Sequence, residues 1–324
     1  MTTRHLLSRR KMLAGAVAAG MSAAVAPRAA IAADFELKLA YNRFASLFQF
    51  FAAKEQGFFQ NAGLKLTDTF TPPPLAIPGL LSGQYDVAFH NILDIAQINL
   101  KGGKIKIIHA GTMLSPENPY TQLIVPTGSQ VKTAKDLEGG KIAVPFVRST
   151  LDLDLLSWLV ANGADPKKVG IVGVGIDGII PAVQSKQFEA VYAIEPAVSV
   201  IKAQNFGHQI AFPASASVSG YMATAFIARE EWIEKNVPIA KAVVDVLDKA
   251  TDWLVANPGE IPGLVSRHTG IEPKLAAQMI HPRPLRVARK ADIQPFLDVA
   301  AKFEHIPRAI DACSMISSVC PQEC

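Results

Sequence analysis

The chain has 324 residues, of which 49% are hydrophobic and 19% are charged. This balance excludes an intrinsically disordered protein, and the length suffices for a large core and two domains. The formal net charge of +4 originates in the first 32 residues, which contain five basic residues and no acidic one. The rest of the chain is about neutral, which argues against nucleic acid as a partner.

The N-terminus has the pattern of an export signal. Basic residues precede an apolar stretch, Met12–Val25, and Ala30-Ile31-Ala32 matches an Ala-x-Ala cleavage pattern. The apolar stretch is shorter than the about 20 residues that cross a bilayer. The segment at residues 8–13 resembles a twin-arginine signal with Met12 in place of the usual Phe, and an ordinary secretory signal is the alternative. We predict that residues 1–32 are a twin-arginine signal peptide and that the mature protein is soluble in the periplasm.

The following segment predicts strands that alternate with helices. The predicted elements are a strand at Phe35–Tyr41, an aromatic-rich helix at Leu47–Phe59, a strand at Leu64–Phe70, a helix at Leu93–Lys101 and a strand at Ile105–Gly111. Thr71–Pro74 contains three prolines and predicts a rigid loop. Such alternation implies an α/β fold with a mostly parallel sheet and right-handed crossovers.

Two Tyr-led apolar strands divide the remaining chain. Tyr120–Val125 leaves the first group of elements, and Tyr221–Ala228 is its late counterpart, so we predict that these strands form a two-stranded hinge. Between them the pattern predicts a strand at Ile142–Pro145, a helix at Ser149–Asn162 and a strand at Val169–Val174. Residues 33–120 and 225–324 then make lobe 1, with helix at Ile239–Val255, and residues 121–224 make lobe 2.

A repeated stretch supports two similar lobes. Residues 77–89 and 180–192 match at a constant offset of 103, in the pairs Ile77/Ile180, Pro78/Pro181, Ser82/Ser185, Gln84/Gln187, Tyr85/Phe188, Asp86/Glu189 and Phe89/Tyr192. Each copy predicts a short helix begun by Pro, a turn and a buried strand. The offset exceeds the roughly 20–50 residues of a solenoid repeat. The polar ends of the two strands, His90-Asn91 and Glu195-Pro196, should face each other across a cleft.

Two arginines follow predicted strands at the edge where open α/β sheets bind ligands. Arg43 follows the first strand, with Phe44 in the same turn, and Arg148 follows Ile142–Pro145. Ser149 and Thr150 would open the next helix and offer hydroxyl and backbone N–H groups to an anion. The planar guanidinium fork suits carboxylate, sulfonate or phosphate. We predict an anion site with one arginine per lobe; the alternative is an N-cap by Ser149 beside a solvated Arg148.

Other motifs give weaker signals. Residues 173–178 match a G-x-G-x-x-G fingerprint, but Asp177 would put a negative charge where a pyrophosphate should sit, so we interpret the segment as a strand-end turn. Three cysteines lie in the last dozen residues and would permit a disulfide such as Cys313–Cys320 in an exported protein, leaving one thiol over. No metal-ligand spacing, nucleophile elbow or Cys–His arrangement predicts a metal, a cofactor or catalysis.

Several of these motifs together resemble the solute-binding proteins of ABC importers for nitrate, taurine and alkanesulfonates. They are Glu55-Gln56-Gly57-Phe58-Phe59, Gly83-Gln84-Tyr85-Asp86, the run from Asp136 to Val144, and Glu195-Pro196. The resemblance extends over most of residues 35–275. It implies a type II periplasmic-binding-protein fold that closes around a small ligand and delivers it to the membrane subunits of a permease. Carried over by position, it implies a site that includes Arg43–Ser46, Asn91, Arg148–Thr150, Asp177, Glu195 and Tyr221.

The resemblance leaves the substrate class open. The same family includes binders of aromatic acids and of thiamine-precursor pyrimidines, and a related-fold enzyme of thiamine pyrimidine synthesis is a further alternative. That enzyme class has a Cys-rich motif, whereas this chain has no Cys before Cys313. A periplasmic sensor module is a third class. We predict a monomeric binding protein for a small organic or inorganic anion, with no enzyme activity.

Overall fold

A computed structural model describes residues 35–324. The predicted signal peptide lies outside the described residues. Within them the strands are β1 (Phe35–Tyr41), β2 (Leu64–Phe70), β3 (Val87–Asn91), β4 (Ile105–Ala110), β5 (Thr112–Leu114), β6 (Thr121–Pro126), β7 (Lys141–Val144), β8 (Gly170–Gly173), β9 (Ala190–Ile194), β10 (Gly207–Ala211), β11 (Tyr221–Met222), β12 (Thr224–Arg229), β13 (Arg283–Pro284), β14 (Ala288–Arg289) and β15 (Gln322–Glu323).

The helices cover both sheets and dominate the C-terminal part. They are α1 (Phe48–Glu55), α2 (Phe58–Asn61), α3 (Pro73–Ser82), α4 (Ile92–Leu100), α5 (Thr150–Ala161), α6 (Ile179–Ser185), α7 (Ala197–Ala203), α8 (Ala214–Ser217), α9 (Glu230–Lys235), α10 (Val237–Ala256), α11 (Ile261–Thr269), α12 (Pro273–Gln278), α13 (Lys290–Lys302) and α14 (Ala312–Met315). None of the helices between residues 35 and 324 is long and apolar enough to cross a membrane.

Two five-stranded sheets form the framework, with the orders β2-β1-β3-β12-β4 and β10-β6-β9-β7-β8. In the first sheet β1 lies parallel to β2 and β3, and β12 runs antiparallel to β3 and β4. In the second sheet β7 lies parallel to β8 and β9, and β6 runs antiparallel to β9 and β10. Read from opposite ends, the two sheets therefore share one topology.

The repeated stretches occupy equivalent places in the two sheets. The first copy contributes α3 and β3, and the second contributes α6 and β9. Both strands lie between a parallel and an antiparallel neighbour. The helix of the first copy starts earlier than predicted, because Pro73 and Pro74 occupy its first positions, where a missing N–H costs no intrahelical bond. The predicted loop Thr71–Pro74 therefore ends at Pro72.

The predicted hinge strands do not pair with each other. Tyr120–Val125 supplies β6 of the second sheet, whereas most of Tyr221–Ala228 supplies β12 of the first. Their likeness reflects equivalent antiparallel positions in the two sheets. The segments that cross between the sheets instead contain β5 and β11, which pair antiparallel, with Tyr221 opposite Leu114 and Met222 opposite Met113. Where one lobe ends and the next begins stays a prediction.

Apolar clusters cover both faces of each sheet. Helix α5 lies between two of these clusters, because Leu155 and Leu159 pack on the second sheet and Leu153 joins a cluster of the first. The predicted helix Leu47–Phe59 is divided at Gly57, whose φ of 66° lies in the left-handed region that favours glycine. Phe50, Phe51 and Phe59 on either side of this break are buried against the first sheet.

The cysteine pairing differs from the one suggested by sequence. The disulfide joins Cys313 to Cys324, not to Cys320. Cys320 packs in the core of the first sheet, and burial raises the pKa of its thiol to about 12. It is the only free cysteine of the described residues. The disulfide ties α14 to the tail after β15, which pairs with β14.

Candidate functional site

Most of the predicted site residues lie in loops that follow parallel strands. Arg43, Phe44 and Ser46 follow β1, Asn91 ends β3, Arg148 and Ser149 follow β7, Asp177 follows β8, and Glu195 follows β9. Because the carboxyl ends of parallel strands meet at one edge of a sheet, each sheet presents a group of these loops together. Thr150 is the first residue of α5, and Tyr221 lies on the crossing strand β11.

Arg43 presents a guanidinium group over an exposed aromatic ring. Its Cζ atom lies 5.0 Å from the ring centroid of Phe70, a cation–π arrangement. No carboxylate of residues 35–324 forms an ion pair with it. The loop is shaped locally by the Phe44 N–H, which donates to Asn42 Oδ1 at 3.0 Å. Arg43 therefore retains free donors for an anion.

Asn91 is committed to its own helix. Its Oδ1 accepts a hydrogen bond from the Asp94 N–H at 2.9 Å, and its Nδ2 donates to Asp94 Oδ2 at 2.9 Å. His90 Nδ1 lies 3.2 Å from the same carboxylate oxygen. This is N-capping of α4, which satisfies a helix N–H that would otherwise lack a partner.

In the loop after β7, the backbone N–H groups donate to the carboxylate of Asp152. The N–H groups of Arg148 and Ser149 both donate to Asp152, and Ser149 Oγ accepts from the Leu151 N–H at 3.2 Å. This is a capping box, in which the side chain at the third helical position closes back on the N-cap. The N–H groups predicted for an anion are therefore occupied by Asp152, and the alternative of N-capping by Ser149 is the one observed.

The Arg148 side chain is also engaged within the protein. Its Nη2 donates to the carbonyl oxygen of Glu304 at 3.0 Å. Its backbone φ of 55° lies in the left-handed region, which is unfavourable for a residue with a Cβ. The surrounding hydrogen bonds hold this conformation, so the loop is preorganised.

Glu195, which follows β9 of the second sheet, contacts the segment after α12. Its carboxylate accepts hydrogen bonds from Ser199 N, Ser199 Oγ and Ile280 N, at 3.0, 2.9 and 3.2 Å. Burial raises the pKa of Glu195, and the bonds from Ile280 and Ser199 oppose that shift. With three of its acceptor positions used, the carboxylate serves mainly to join α7 to the segment after α12.

Tyr221 and Asp177 lie in opposite environments. Tyr221 is 1% exposed, stacks on Phe296 at a centroid distance of 4.0 Å, and donates its hydroxyl to Asp154 Oδ2 at 2.8 Å. Because it points into the core, we do not place it among ligand contacts.

Asp177 is exposed in the turn between β8 and α6, so the G-x-G-x-x-G segment forms a strand-end turn.

Sequence reasoning missed three buried polar residues beside these loops. Asp152 and Asp154 lie on α5, and His305 follows α13; they are 6%, 0% and 5% exposed. Asp154 accepts hydrogen bonds from Ser217 Oγ and the Tyr221 hydroxyl, both at 2.8 Å, and burial raises its pKa to about 7. The Ser-x-x-Asp spacing of residues 149–152 is a readable capping signal. Asp154 within an apolar helix is another, since a buried acid needs partners.

Large apolar side chains are exposed next to the strand ends. Phe70 and Leu75, near the end of β2, are 50% and 58% exposed, and Phe146 and Val147, after β7, are 39% and 52% exposed. These four are half of the large apolar residues that the described chain exposes. Phe70 lies under the Arg43 guanidinium, and Phe146 and Val147 directly precede Arg148, so both sheets expose apolar surface at the edge where open α/β sheets bind ligands. No group of three or more His, Cys, Asp or Glu among residues 35–324 is arranged to hold a metal ion.

Comparison with known proteins gives a consistent family. The family model described as NMT1/THI5 like matches residues 45–261. A protein of Brucella abortus (strain 2308) with the name "Putative binding protein BAB2_1146" is 26% identical over 224 residues, which cover 68% of this chain and 67% of that protein. The protein of Brucella melitensis biotype 1 named "Putative binding protein BMEII0109" matches with the same values.

Solved structures share the fold. The periplasmic aliphatic sulphonate binding protein SsuA of Escherichia coli superposes with a TM-score of 0.71 at 16% identity, covering 87% of this chain and 92% of that one. The alkanesulfonate-binding protein SsuA of Xanthomonas axonopodis pv. citri, bound to MOPS, gives 0.71 at 17%, covering 87% and 98%. The periplasmic nitrate-binding protein NrtA of Synechocystis PCC 6803 gives 0.70 at 18%, covering 85% and 83%. The predicted two-lobed α/β fold is confirmed.

Proposed function

The chain belongs to the NMT1/THI5-like family, and on that premise we propose that it is the substrate-binding component of an ABC importer. It captures a small organic anion between its two lobes in the periplasm and delivers it to the membrane subunits of a permease. Closure is driven by the difference in ligand contacts between the open and closed states. The chain acts by binding and catalyses no reaction.

The observation that carries this proposal is the Arg43–Phe70 pair at the ligand-binding edge. A guanidinium without a carboxylate partner among the described residues supplies charge and planar donors for a carboxylate or sulfonate. The exposed Phe70 and Leu75 on one lobe and Phe146 and Val147 on the other supply apolar surface. An inorganic anion such as nitrate would leave that surface exposed to water, so an anion with an apolar or aromatic body fits better.

A second candidate is an uncharged heteroaromatic compound of the thiamine-precursor pyrimidine class. The observation in its favour is Asp152, which fills the helix N-terminus where a second anion contact was predicted. With one free arginine and two exposed aromatic rings, the cleft also suits a flat, neutral ring.

A thermal-shift panel on the protein from Ala33 onward tests these alternatives. The panel contains nitrate, taurine, an alkanesulfonate, an aromatic carboxylate and a pyrimidine. A ligand at a hundredfold excess over its Kd stabilises the folded protein by about 2.7 kcal/mol, which raises the melting temperature. We expect an aromatic carboxylate or an alkanesulfonate to give a larger shift than nitrate.

The other outcomes discriminate clearly. A shift with the pyrimidine alone would replace the anion by the neutral ligand. A shift with none of the compounds would contradict the substrate class. The ligand that shifts the melting temperature is then incubated with the protein and recovered for mass spectrometry, where an unchanged mass supports binding and a converted product supports an enzyme.

A further inference from the structure

A seam joins α5 to the elements that cover the first sheet. It consists of Gln97 on α4, Arg148 and Asp152 at the start of α5, and Glu304 and His305 after α13; we call this set the α5 seam. Gln97 Nε2 donates to the His305 carbonyl oxygen at 3.2 Å and reaches the Arg148 carbonyl oxygen at 3.5 Å. Arg148 Nη2 donates to the Glu304 carbonyl oxygen at 3.0 Å. The seam therefore connects the loop after β7 with the first lobe.

At the centre of the seam two buried polar side chains meet without a complete hydrogen bond. His305 Nε2 lies 3.2 Å from Asp152 Oδ1, but the ring is not aligned for donation, and Nε2 has no hydrogen-bond partner in the described part of the chain. Both side chains are more than nine-tenths buried. A buried polar group without a partner is unfavourable, so a small relative movement that aligns this pair would be favoured.

Asp152 transmits such a movement to the ligand-binding edge. The same carboxylate accepts the N–H groups of Arg148 and Ser149, and these residues follow the exposed Phe146 and Val147. The loop conformation at Arg148, with its φ of 55°, depends on these bonds. A change in the contact between His305 and Asp152 therefore alters the loop that borders the cleft.

A second contact between the predicted lobes, at Glu195, differs from the α5 seam. There Glu195 accepts three hydrogen bonds, one of them from Ile280, and the join is complete. The α5 seam therefore contains a buried polar atom without a hydrogen-bond partner, His305 Nε2, whereas the carboxylate oxygens of Glu195 both accept hydrogen bonds.

We propose that His305 and Asp152 form a latch that already holds the two lobes and the β7 loop together in the ligand-free protein, and whose hydrogen bond is completed as the lobes close further. Its use in ligand capture rests on the proposed binding function. The latch itself is a property of the chain and can be tested without any ligand.

Hydrogen–deuterium exchange of the Arg148 and Ser149 amides, measured on the ligand-free protein, tests the latch. In His305→Ala we expect these amides to exchange at least tenfold faster than in the unmodified protein, while the amides of β1 and β9 keep their rates. Small-angle X-ray scattering should show a larger radius of gyration. His208→Ala, which removes an exposed histidine on β10, is the matched control and should change neither readout.

A double-mutant comparison separates the latch from a general loss of packing. If the effect passes through Asp152, His305→Ala adds no further acceleration in the Asp152→Asn background, because the contact is already weakened. His305→Gln, which keeps the bulk of the side chain, should accelerate exchange less than His305→Ala. Unchanged exchange and scattering in folded His305→Ala would overturn the latch, whereas failure of the ligand panel alone would leave it standing.

Discussion

The loops after β1 and β7 hold equivalent positions in two sheets of the same topology, yet their arginines are used differently. After β1, Arg43 extends over Phe70 and pairs with no described carboxylate. After β7, Arg148 is held by Asp152 through its backbone and by Glu304 through its side chain. The difference shows that a repeated fold fixes where a loop lies, whereas single side chains decide whether its arginine stays free of protein acceptors or contacts the other lobe.

The helices that follow these loops differ in the same way. Helix α1 buries a neutral amide, Gln49, whose Nε2 donates to Thr251 Oγ1 at 2.8 Å and to the Leu285 carbonyl oxygen at 3.0 Å. Helix α5 buries two acids, Asp152 and Asp154, which face the first lobe and the crossing segment. The buried Gln49 of α1 cannot change its protonation state, whereas the buried Asp154 of α5 can.

The largest expected effect is the pH dependence that Asp154 gives to α5. Burial raises its pKa to about 7, whereas an unfolded Asp titrates at about 3.9. Between these values the folded protein holds a proton that the unfolded chain has lost. The free energy of unfolding therefore falls by about 1.4 kcal/mol per pH unit as the pH rises, and the contribution of Asp154 is constant above about pH 7.

Asp154→Asn should remove this slope. Urea unfolding at pH 5.0 and 6.5 measures the free energy of unfolding, and we expect the wild type to lose about 2 kcal/mol more than the variant over this interval. Asp177→Asn, at an exposed acid in the second lobe, is the control and should follow the wild type. Parallel slopes for wild type and Asp154→Asn would show that Asp154 titrates normally.

The next effect concerns the two arginines directly. With whichever anion of the panel gives the largest thermal shift, Arg43→Ala should raise the Kd at least tenfold, about 1.4 kcal/mol, because the charged contact is lost. Arg148→Ala should raise it less, since that guanidinium already donates to Glu304. Calorimetric titration measures both values. Arg289→Ala, which removes a surface ion pair with Glu323, is the control and should leave the Kd unchanged. A larger increase in Kd for Arg148→Ala than for Arg43→Ala would place the main anion contact in the second lobe.

Much of the fold could be predicted from the sequence because local patterns decide it. The alternation at residues 35–41 and 64–70 gave β1 and β2 with the observed bounds. The match at an offset of 103 correctly indicated equivalent strands, since β3 and β9 occupy the same place in their sheets. The predicted pairing of Tyr120–Val125 with Tyr221–Ala228 is wrong, because these segments belong to different sheets. The strands that do pair between the two sheets, β5 and β11, have only three and two residues and leave no periodic pattern.

The strand-end positions of the candidate site residues were predictable, but the contacts of their side chains were not. Strand order and loop position follow from periodicity, so Arg43, Arg148 and Glu195 could be placed at strand ends. The direction of a side chain depends on packing between segments distant in sequence. Tyr221 meets Asp154 across 67 residues and His305 meets Asp152 across more than 150, and no local pattern records such contacts.

The smallest effect compares two serines that correspond at the same offset of 103. Ser149 caps α5, and replacing such a cap by Ala costs about 1 kcal/mol of stability. Ser46 lies within the short 3-10 turn before α1, whose N-cap residue is Phe44 and has no side-chain cap bond. Ser149→Ala should therefore lower the free energy of urea unfolding by about 1 kcal/mol, and Ser46→Ala by less than about 0.5 kcal/mol. Equal losses would mean that the two loops are stabilised alike, so that the contrast between them is confined to their arginines.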